Sequence, residues 1–307
     1  MQTIKIFSPA TVANVACGFD ILGLCLENPG DEVVMTLTDK VGITIKNETS
    51  YHIPTEPQLN TLGVSLQAYL NYLNIKDKGF EITIQEKIMP GSGVGSSSAS
   101  AAASVFGANV LLGNPLSKEA LVQFAMQGEL AACGSAHADN VAPAILGGFV
   151  LVRSYRPLDI INLPYPKNMY VAVVHPQIEI KTEDARRVLR KYIALKDATI
   201  QWGNIAGLVA GLFKEDYDLI GRSLEDVIVE PVRSMLIPGY KEVKKAAIAA
   251  GALGCSISGS GPSMFTLCSS KQIAEKVGKA MSDKFKEYEI DNNVYITGIN
   301  PEGVRTA

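Results

Sequence analysis

The sequence predicts an α+β fold in two domains, and three observations carry that expectation. Segments with strand-like and helix-like apolar patterning alternate along all 307 residues, with no internal repeat and no low-complexity stretch. A glycine-rich loop at Pro90–Ser98 joins the strand pattern of Phe80–Gln85 to a helix made of small residues. Between Arg156 and Pro166 the periodicity lapses and three prolines occur, which sets domains of 1–156 and 167–307.

In the first half, residues 3–8 alternate as a strand and run into a loop of small residues that ends at Asp20. Its Asn14 and Asp20 suit either Asx-turn chemistry or an amide and a carboxylate offered to a polar ligand. Glu32–Thr38 and Gly42–Lys46 read as two strands of a hairpin or meander. Asn60 and Thr61 cap a helix over 62–73, and Ser96–Leu112 forms the helix after the glycine loop, stopped by Gly113. A third helix over 117–132 carries Glu129. Residues 134–143 read as a loop, and 148–152 as a strand.

The second half opens with a strand at 169–174. Helices are expected at 183–192, 200–213, 217–226, 239–250 and 271–288. Two strands, 254–258 and 263–268, are joined by Gly259–Pro262, and a last strand lies near 294–299.

Hydrophobic content is 47% and charged content 19%, as in a globular protein with a large core. The net charge of −3, from 28 basic and 31 acidic residues without a long basic run, argues against nucleic acid or an anionic membrane as partner. No apolar run approaches the ~20 residues of a membrane span, and the amino-terminal residues lack a leader pattern, so a cytoplasmic protein is expected. Five cysteines without a CxxC pair read as buried thiols, and three scattered histidines make no zinc pattern.

The glycine loop carries the strongest chemical signal. Glycine at 91, 93 and 95 removes three Cβ atoms, so backbone N–H groups can curl around an anion, and the first amides of the following helix have no internal partner. Such a site suits phosphate. A plain glycine turn before a buried helix is the alternative, but three consecutive serines and a second glycine cluster at 259–261 weigh against it. A Rossmann fingerprint fails at its third glycine, which falls on Ser96, and neither GxxxxGK(S/T) nor a GxSxG elbow is present.

Three segments taken together resemble the GHMP kinases. They are SPATVANVACGFDILGL at 8–24, PGSGVGSSSASAAA at 90–103 and GALGCSISGSGPSMF at 251–265, supported by HADNVAP at 137–143, TEDARRVL at 182–189 and EPVRSMLIPGY at 230–240. The resemblance implies an amino-terminal domain of the ribosomal S5 domain 2-like type and a ferredoxin-like carboxy-terminal domain, with the active site between them. It implies transfer of the γ-phosphoryl of MgATP to the hydroxyl of L-homoserine on the route to threonine, and a homodimer. The alternatives are another small-molecule kinase of the family, acting on mevalonate, shikimate or a sugar, and a catalytically silent nucleotide-binding relative.

Carried over residue by residue, the resemblance gives ATP the loop Pro90, Gly91, Ser92, Gly93, Val94, Gly95, Ser96, Ser97 and Ser98, with Asn60 near the adenine. Ser97 and Glu129 match the Mg²⁺ ligands. Asn14, Asp20, His137, Asn140, Arg186, Arg233 and Gly259 match the surroundings of the amino acid substrate. Arg186 is chosen over its neighbour Arg187 by the T-x-x-A-R match alone. Asp20 suits an ammonium, the two arginines a carboxylate, and Asn14 with Asn140 a hydroxyl. Asn140 stands where mevalonate kinase relatives have an aspartate, so Asn14, Asn140 and Glu129 are read as catalytic through alignment and charge neutralisation rather than proton abstraction. Asp139 ranks second as a possible base, because adjacent side chains rarely share a face.

Overall fold

The computed structural model describes residues 2–134, 136–180 and 182–307, apart from the side chains at 132 and 133. In chain order its elements are β1 (Gln2–Ala13), β2 (Leu22–Thr38), β3 (Gly42–Asn47), α1 (Thr61–Tyr72), β4 (Gly79–Glu86), α2 (Ser96–Leu111), α3 (Lys118–Cys133), α4 (Ala138–Leu146), β5 (Phe149–Tyr155) and β6 (Leu158–Leu163). Then follow β7 (Tyr170–Pro176), α5 (Thr182–Arg187), α6 (Leu195–Lys214), α7 (Tyr217–Ser223), α8 (Glu230–Arg233), α9 (Tyr240–Ala249), β8 (Gly254–Ile257), β9 (Met264–Cys268), α10 (Lys271–Glu287), β10 (Asn292–Gly298) and β11 (Arg305–Thr306).

The first sheet has the order β11-β1-β2-β4-β3, with β5 and β6 continuing from β2. Helices α1 to α4 supply its core, in which Leu62, Leu66, Tyr69, Ala101 to Ala103 and Val141 pack against Ile6, Met35, Phe80 and Ile82. Small residues let α2 lie close on the strands: a Cβ at Gly107 would stand 2.4 Å from Ile6 Cδ1. The second sheet, β10-β7-β9-β8, is antiparallel throughout and is the four-stranded sheet of a ferredoxin-like unit. On one face it receives α9 and α10, the latter burying Ala274, Val277, Met281 and Phe285 along a helical stripe. Its other face joins one apolar cluster with Leu22, Leu24, Val94 and Phe149 of the first half and Leu208, Leu212 and Ile220 of α6 and α7.

Four local expectations are corrected. β3 pairs parallel with β4, not with β2 as a hairpin would. β4 buries Phe80, Ile82 and Ile84 and takes the inner position, whereas β3 buries Ile45 alone and takes the edge. The 134–143 loop contains α4, a helix that accommodates Pro143. Proline cannot donate to the carbonyl of Asp139; that oxygen packs instead on Gly23, where a Cβ would lie 1.8 Å from it. The 183–192 helix ends at Arg187, because Ala185 is its sole buried residue and Val188, Tyr192 and Ile193 face solvent. The aperiodic stretch before Pro166 holds β6, an edge strand on β5, so the first sheet runs on to Leu163.

Cys17, Cys25, Cys255 and Cys268 are buried free thiols, with burial pushing Cys17 up to about 12 and Cys268 to about 11. The side chain of Cys133 lies outside the described residues. Among those residues no helix is long and apolar enough to cross a membrane.

Candidate active site

A cavity of about 280 Å³ runs from the start of α1, past the glycine loop, to α5, α8 and the loop after β8. Its end at the glycine loop is built from backbone. Gly91, Gly93 and Gly95 all adopt positive φ, at 73°, 81° and 70°, a region that costs any other residue strain. Gly95 is also the N-cap of α2, and a Cβ there would stand 2.1 Å from Thr11 Oγ1 and 3.2 Å from Asn140 Oδ1. Thr11 Oγ1 donates to Asn140 Oδ1 at 2.8 Å, so the amide expected near a substrate hydroxyl lies directly beneath the cradle.

Pro90, Gly91, Gly93, Gly95, Ser96 and Ser97 line the cavity. Ser92, Val94 and Ser98 do not: their side chains are buried, Val94 in the apolar cluster shared by the two sheets. Asn60 lines the far end, but both ends of its amide are engaged. Its Oδ1 accepts from Leu62 N at 2.9 Å as the cap of α1, and its Nδ2 donates to Pro54 O at 2.6 Å. The wall beside it is His52, Ile53, Pro54 and the exposed Leu59, a surface suited to a flat heterocycle.

Glu129 projects from α3 into the cavity although the residue is buried. Burial raises its carboxyl above the ordinary range, while the Ser97 and Ser98 hydroxyls beside it work in the other direction. Beneath the loop lies a pair that the sequence reading missed. Lys87 Nζ meets Asp31 Oδ2 at 2.9 Å and donates to Ser96 O and Oγ at 2.6 and 2.7 Å. Asp31 in turn accepts from Ile88 N at 2.9 Å and Ser100 Oγ at 2.8 Å, which anchors the approach to the loop to the second turn of α2. A lysine and a distant aspartate give no motif; proximity of Lys87 to the glycines was the one available signal.

The other end is built from charged side chains. Arg186 Nη2 donates to Asp20 Oδ1 and Oδ2 at 3.2 and 3.4 Å and contacts the His137 ring. His137 Nδ1 is 3.4 Å from Asp20 Oδ1 and 3.9 Å from Asp139 Oδ1. Burial opposes ionisation of Asp20, but its hydrogen bond to His137 and the charges of His137, Arg186 and Arg233 outweigh it and hold the carboxyl below the usual range. Asp139 is pushed up to about 7, first by burial and further by Asp20, against the attraction of His137. Among the described residues, Asp20, His137 and Asp139 form the one cluster with metal-ligating geometry, yet the guanidinium on Asp20 disfavours a cation there.

Arg233 is buried and spends two donors on backbone, Nε to Ala185 O at 3.1 Å and Nη1 to Gly259 O at 3.0 Å. Asn14 Nδ2 donates to the same Gly259 oxygen at 2.8 Å, and its Oδ1 accepts from Asp20 N. Arg187 points away and pairs with Glu183 and Asp184 of its own helix, leaving Arg186 as the arginine of the cavity. Asn140 and Asp139 both line it, against the expectation that neighbours diverge, because the cavity meets the first turn of α4 end-on.

Comparison with known proteins defines the class first. The model for the GHMP kinase N-terminal domain matches residues 60–148 and that for the GHMP kinase C-terminal domain matches residues 208–287. The chain belongs to the GHMP kinases. It is 50% identical to a homoserine kinase of Chlorobium phaeobacteroides, with 99% of each chain covered, and 48% identical to one of Chlorobaculum tepidum, with 99% and 98% covered. The crystal structure of homoserine kinase from Cytophaga hutchinsonii superposes with a TM-score of 0.96 at 52% identity, covering 100% of this chain and 98% of that one.

Proposed function

We propose that this chain acts as a homoserine kinase, an ATP-dependent transferase that moves the γ-phosphoryl of ATP to the side-chain hydroxyl of L-homoserine and yields O-phospho-L-homoserine for threonine biosynthesis. The observation that carries the reading is one cavity with a backbone anion cradle at one end and Asp20, Arg186 and Arg233 at the other, joined by Asn140 beneath Gly95. We read the two domains as closing on it from either side, with the boundary after Leu163 rather than at 156 and the carboxy-terminal strand β11 returning to the first domain.

The loop Pro90–Ser98 takes the phosphates of ATP, through backbone where side chains turn inward, and the wall at Asn60 takes the adenine. Ser97 and Glu129 would hold Mg²⁺: a hydroxyl and a buried carboxylate, side by side, are the hard oxygens that ion prefers alongside phosphate and water. When bound, the ion would supply positive charge to offset that of the phosphates.

Asp20 receives the substrate ammonium, and Arg186 and Arg233 its carboxylate. Asn14, His137 and the Gly259 carbonyl frame that end, while Asn140 orients the hydroxyl at the γ-phosphorus. The hydroxyl attacks directly and its proton passes to phosphate or water, because the transition state is loose and asks little of the nucleophile. Asp139 supplies a second reading for that proton, since a carboxyl near 7 within the cavity has the affinity of a general base. The zwitterionic site favours homoserine over mevalonate, shikimate or a sugar, none of which carries an ammonium. We read the active form as a homodimer, which light scattering tests. A coupled ADP-release assay with homoserine, other hydroxy amino acids, mevalonate and shikimate tests the function: turnover is expected on homoserine, and turnover on mevalonate without homoserine contradicts it.

A further inference from the structure

The third glycine segment, 251–265, and the neighbouring strand β7 hold polar side chains that do not line the cavity. Ser258, Ser263 and His175 are fully or almost fully buried. All three nevertheless bear on the glycine loop. Ser258 Oγ donates to Gly93 O at 2.7 Å, and Ser263 Oγ donates to Ser92 O at 2.5 Å. His175 Nδ1 lies 3.1 Å from Ser263 Oγ. Because the serine spends its proton on Ser92 O, the imidazole must be the donor at Nδ1 and carry no proton at Nε2. That tautomer agrees with the buried Nε2, which has no partner, and with burial holding the ring below the usual histidine range.

A trans peptide points its N–H opposite to its C=O. Holding the carbonyls of Ser92 and Gly93 toward the second sheet therefore turns the amides of Gly93 and Val94 the other way. Among the described residues neither amide meets an acceptor. The contact is close enough to demand glycine: a Cβ at Gly93 would lie 2.6 Å from Gly261 O and 2.8 Å from Ser258 O. We propose that Ser258 and Ser263, the latter oriented by His175, are positioning residues that fix two successive peptide planes of the glycine loop, so that the amide of Gly93, which lines the cavity, is presented to the phosphates of ATP. They act from the opposite half of the molecule and never touch the nucleotide. The inference rests on the reading of this loop as the phosphate cradle.

Calorimetric titration with ADP and with adenosine tests it, since only ADP carries the phosphates that the Gly93 amide would hold. Ser258→Ala and Ser263→Ala are each expected to weaken ADP about tenfold, and the double variant about a hundredfold, while adenosine changes less than about twofold. His175→Leu should weaken ADP about threefold, and His175→Asn, whose Nδ2 can replace Nδ1–H, should restore it. Equal weakening of ADP and adenosine would reduce the serines to fold support and overturn the proposal; wild-type ADP affinity in the double variant would do the same. Should Ser263→Ala fail to fold, Ser258→Ala and the histidine pair carry the test alone. Gly95→Val separates the two levels. Lost ADP binding there beside an unaffected serine double variant removes this inference only, whereas unchanged ADP binding in Gly95→Val removes the cradle itself.

Discussion

In the function proposed above, the two ends of the cavity recognise charge by opposite means. At the glycine loop the ligand-facing groups are main-chain amides, shaped by three residues of positive φ and tied from behind by Lys87, Ser258 and Ser263. At the other end they are ionisable side chains drawn from four separate segments, and several already contact one another: Asp20 meets Arg186 and His137, while Arg233 leans on Phe19 with its guanidinium 5.1 Å from the ring centre. A backbone cradle has one shape and tolerates no Cβ. A side-chain site can be retuned one residue at a time, and a zwitterion seated there exchanges one ion pair for two. This contrast predicts sharp losses from changes near the cradle and graded, substrate-specific losses at the charged end.

The largest effect is expected where the two ends meet. Glu129→Gln should cut kcat by about two to three orders of magnitude through loss of charge at the metal-phosphate site. Its Tm should not fall, because burial already disfavours the ionised carboxylate and the amide removes that penalty. Wild-type kcat at limiting Mg²⁺ would break the assignment. Next comes Gly95→Val, in which a Cβ 2.1 Å from Thr11 Oγ1 and a φ of 70° distort the cradle, with ATP affinity expected to drop about a hundredfold. Binding isotherms check it.

Arg233→Leu should raise KM for homoserine about ten- to a hundredfold and also lower Tm, since Ala185 O loses its side-chain donor and Gly259 O keeps only that of Asn14. A Tm loss with unchanged KM would make this arginine a support rather than a reader of substrate. The smallest effect belongs to Asp139→Asn, which should change kcat by less than about tenfold if no side chain is an essential base. It should alter pH dependence of stability more clearly. A carboxyl that holds its proton more tightly folded than unfolded costs stability as pH rises from 3.8 to about 7, so the wild type should lose Tm across that window and the variant should lose less. Parallel Tm curves would show that Asp139 titrates normally.

The difference between the ends also explains what could be read in the sequence. The cradle is local: three glycines and a serine run within nine residues, between a strand and a helix, announce it without tertiary information. Asn60 was legible as a cap for the same reason. The charged end is assembled by long-range packing, and only the family resemblance brought Asp20, His137, Arg186 and Arg233 together on paper. Lys87 and Asp31 were missed because their pairing joins residues 56 positions apart. α4 was missed within the loop read over 134–143 because the packing of Asp139 O on Gly23, which makes the missing donor of Pro143 harmless, is visible only in three dimensions. β3 was assigned the wrong partner because sequence adjacency favours hairpins, and the better apolar face of β4 decides otherwise.

The claim that the charged end reads a zwitterion is tested most directly with Arg186→Leu, because its guanidinium contacts only side chains of the site. Steady-state kinetics of wild type and variant, each with homoserine and with its methyl ester, form a two-by-two comparison. The account predicts that the substitution raises KM for homoserine by about ten- to a hundredfold, raises KM for the ester far less, and leaves KM for ATP within about twofold. Equal factors for acid and ester would contradict it, since an arginine that ignores the carboxylate cannot be what selects this substrate.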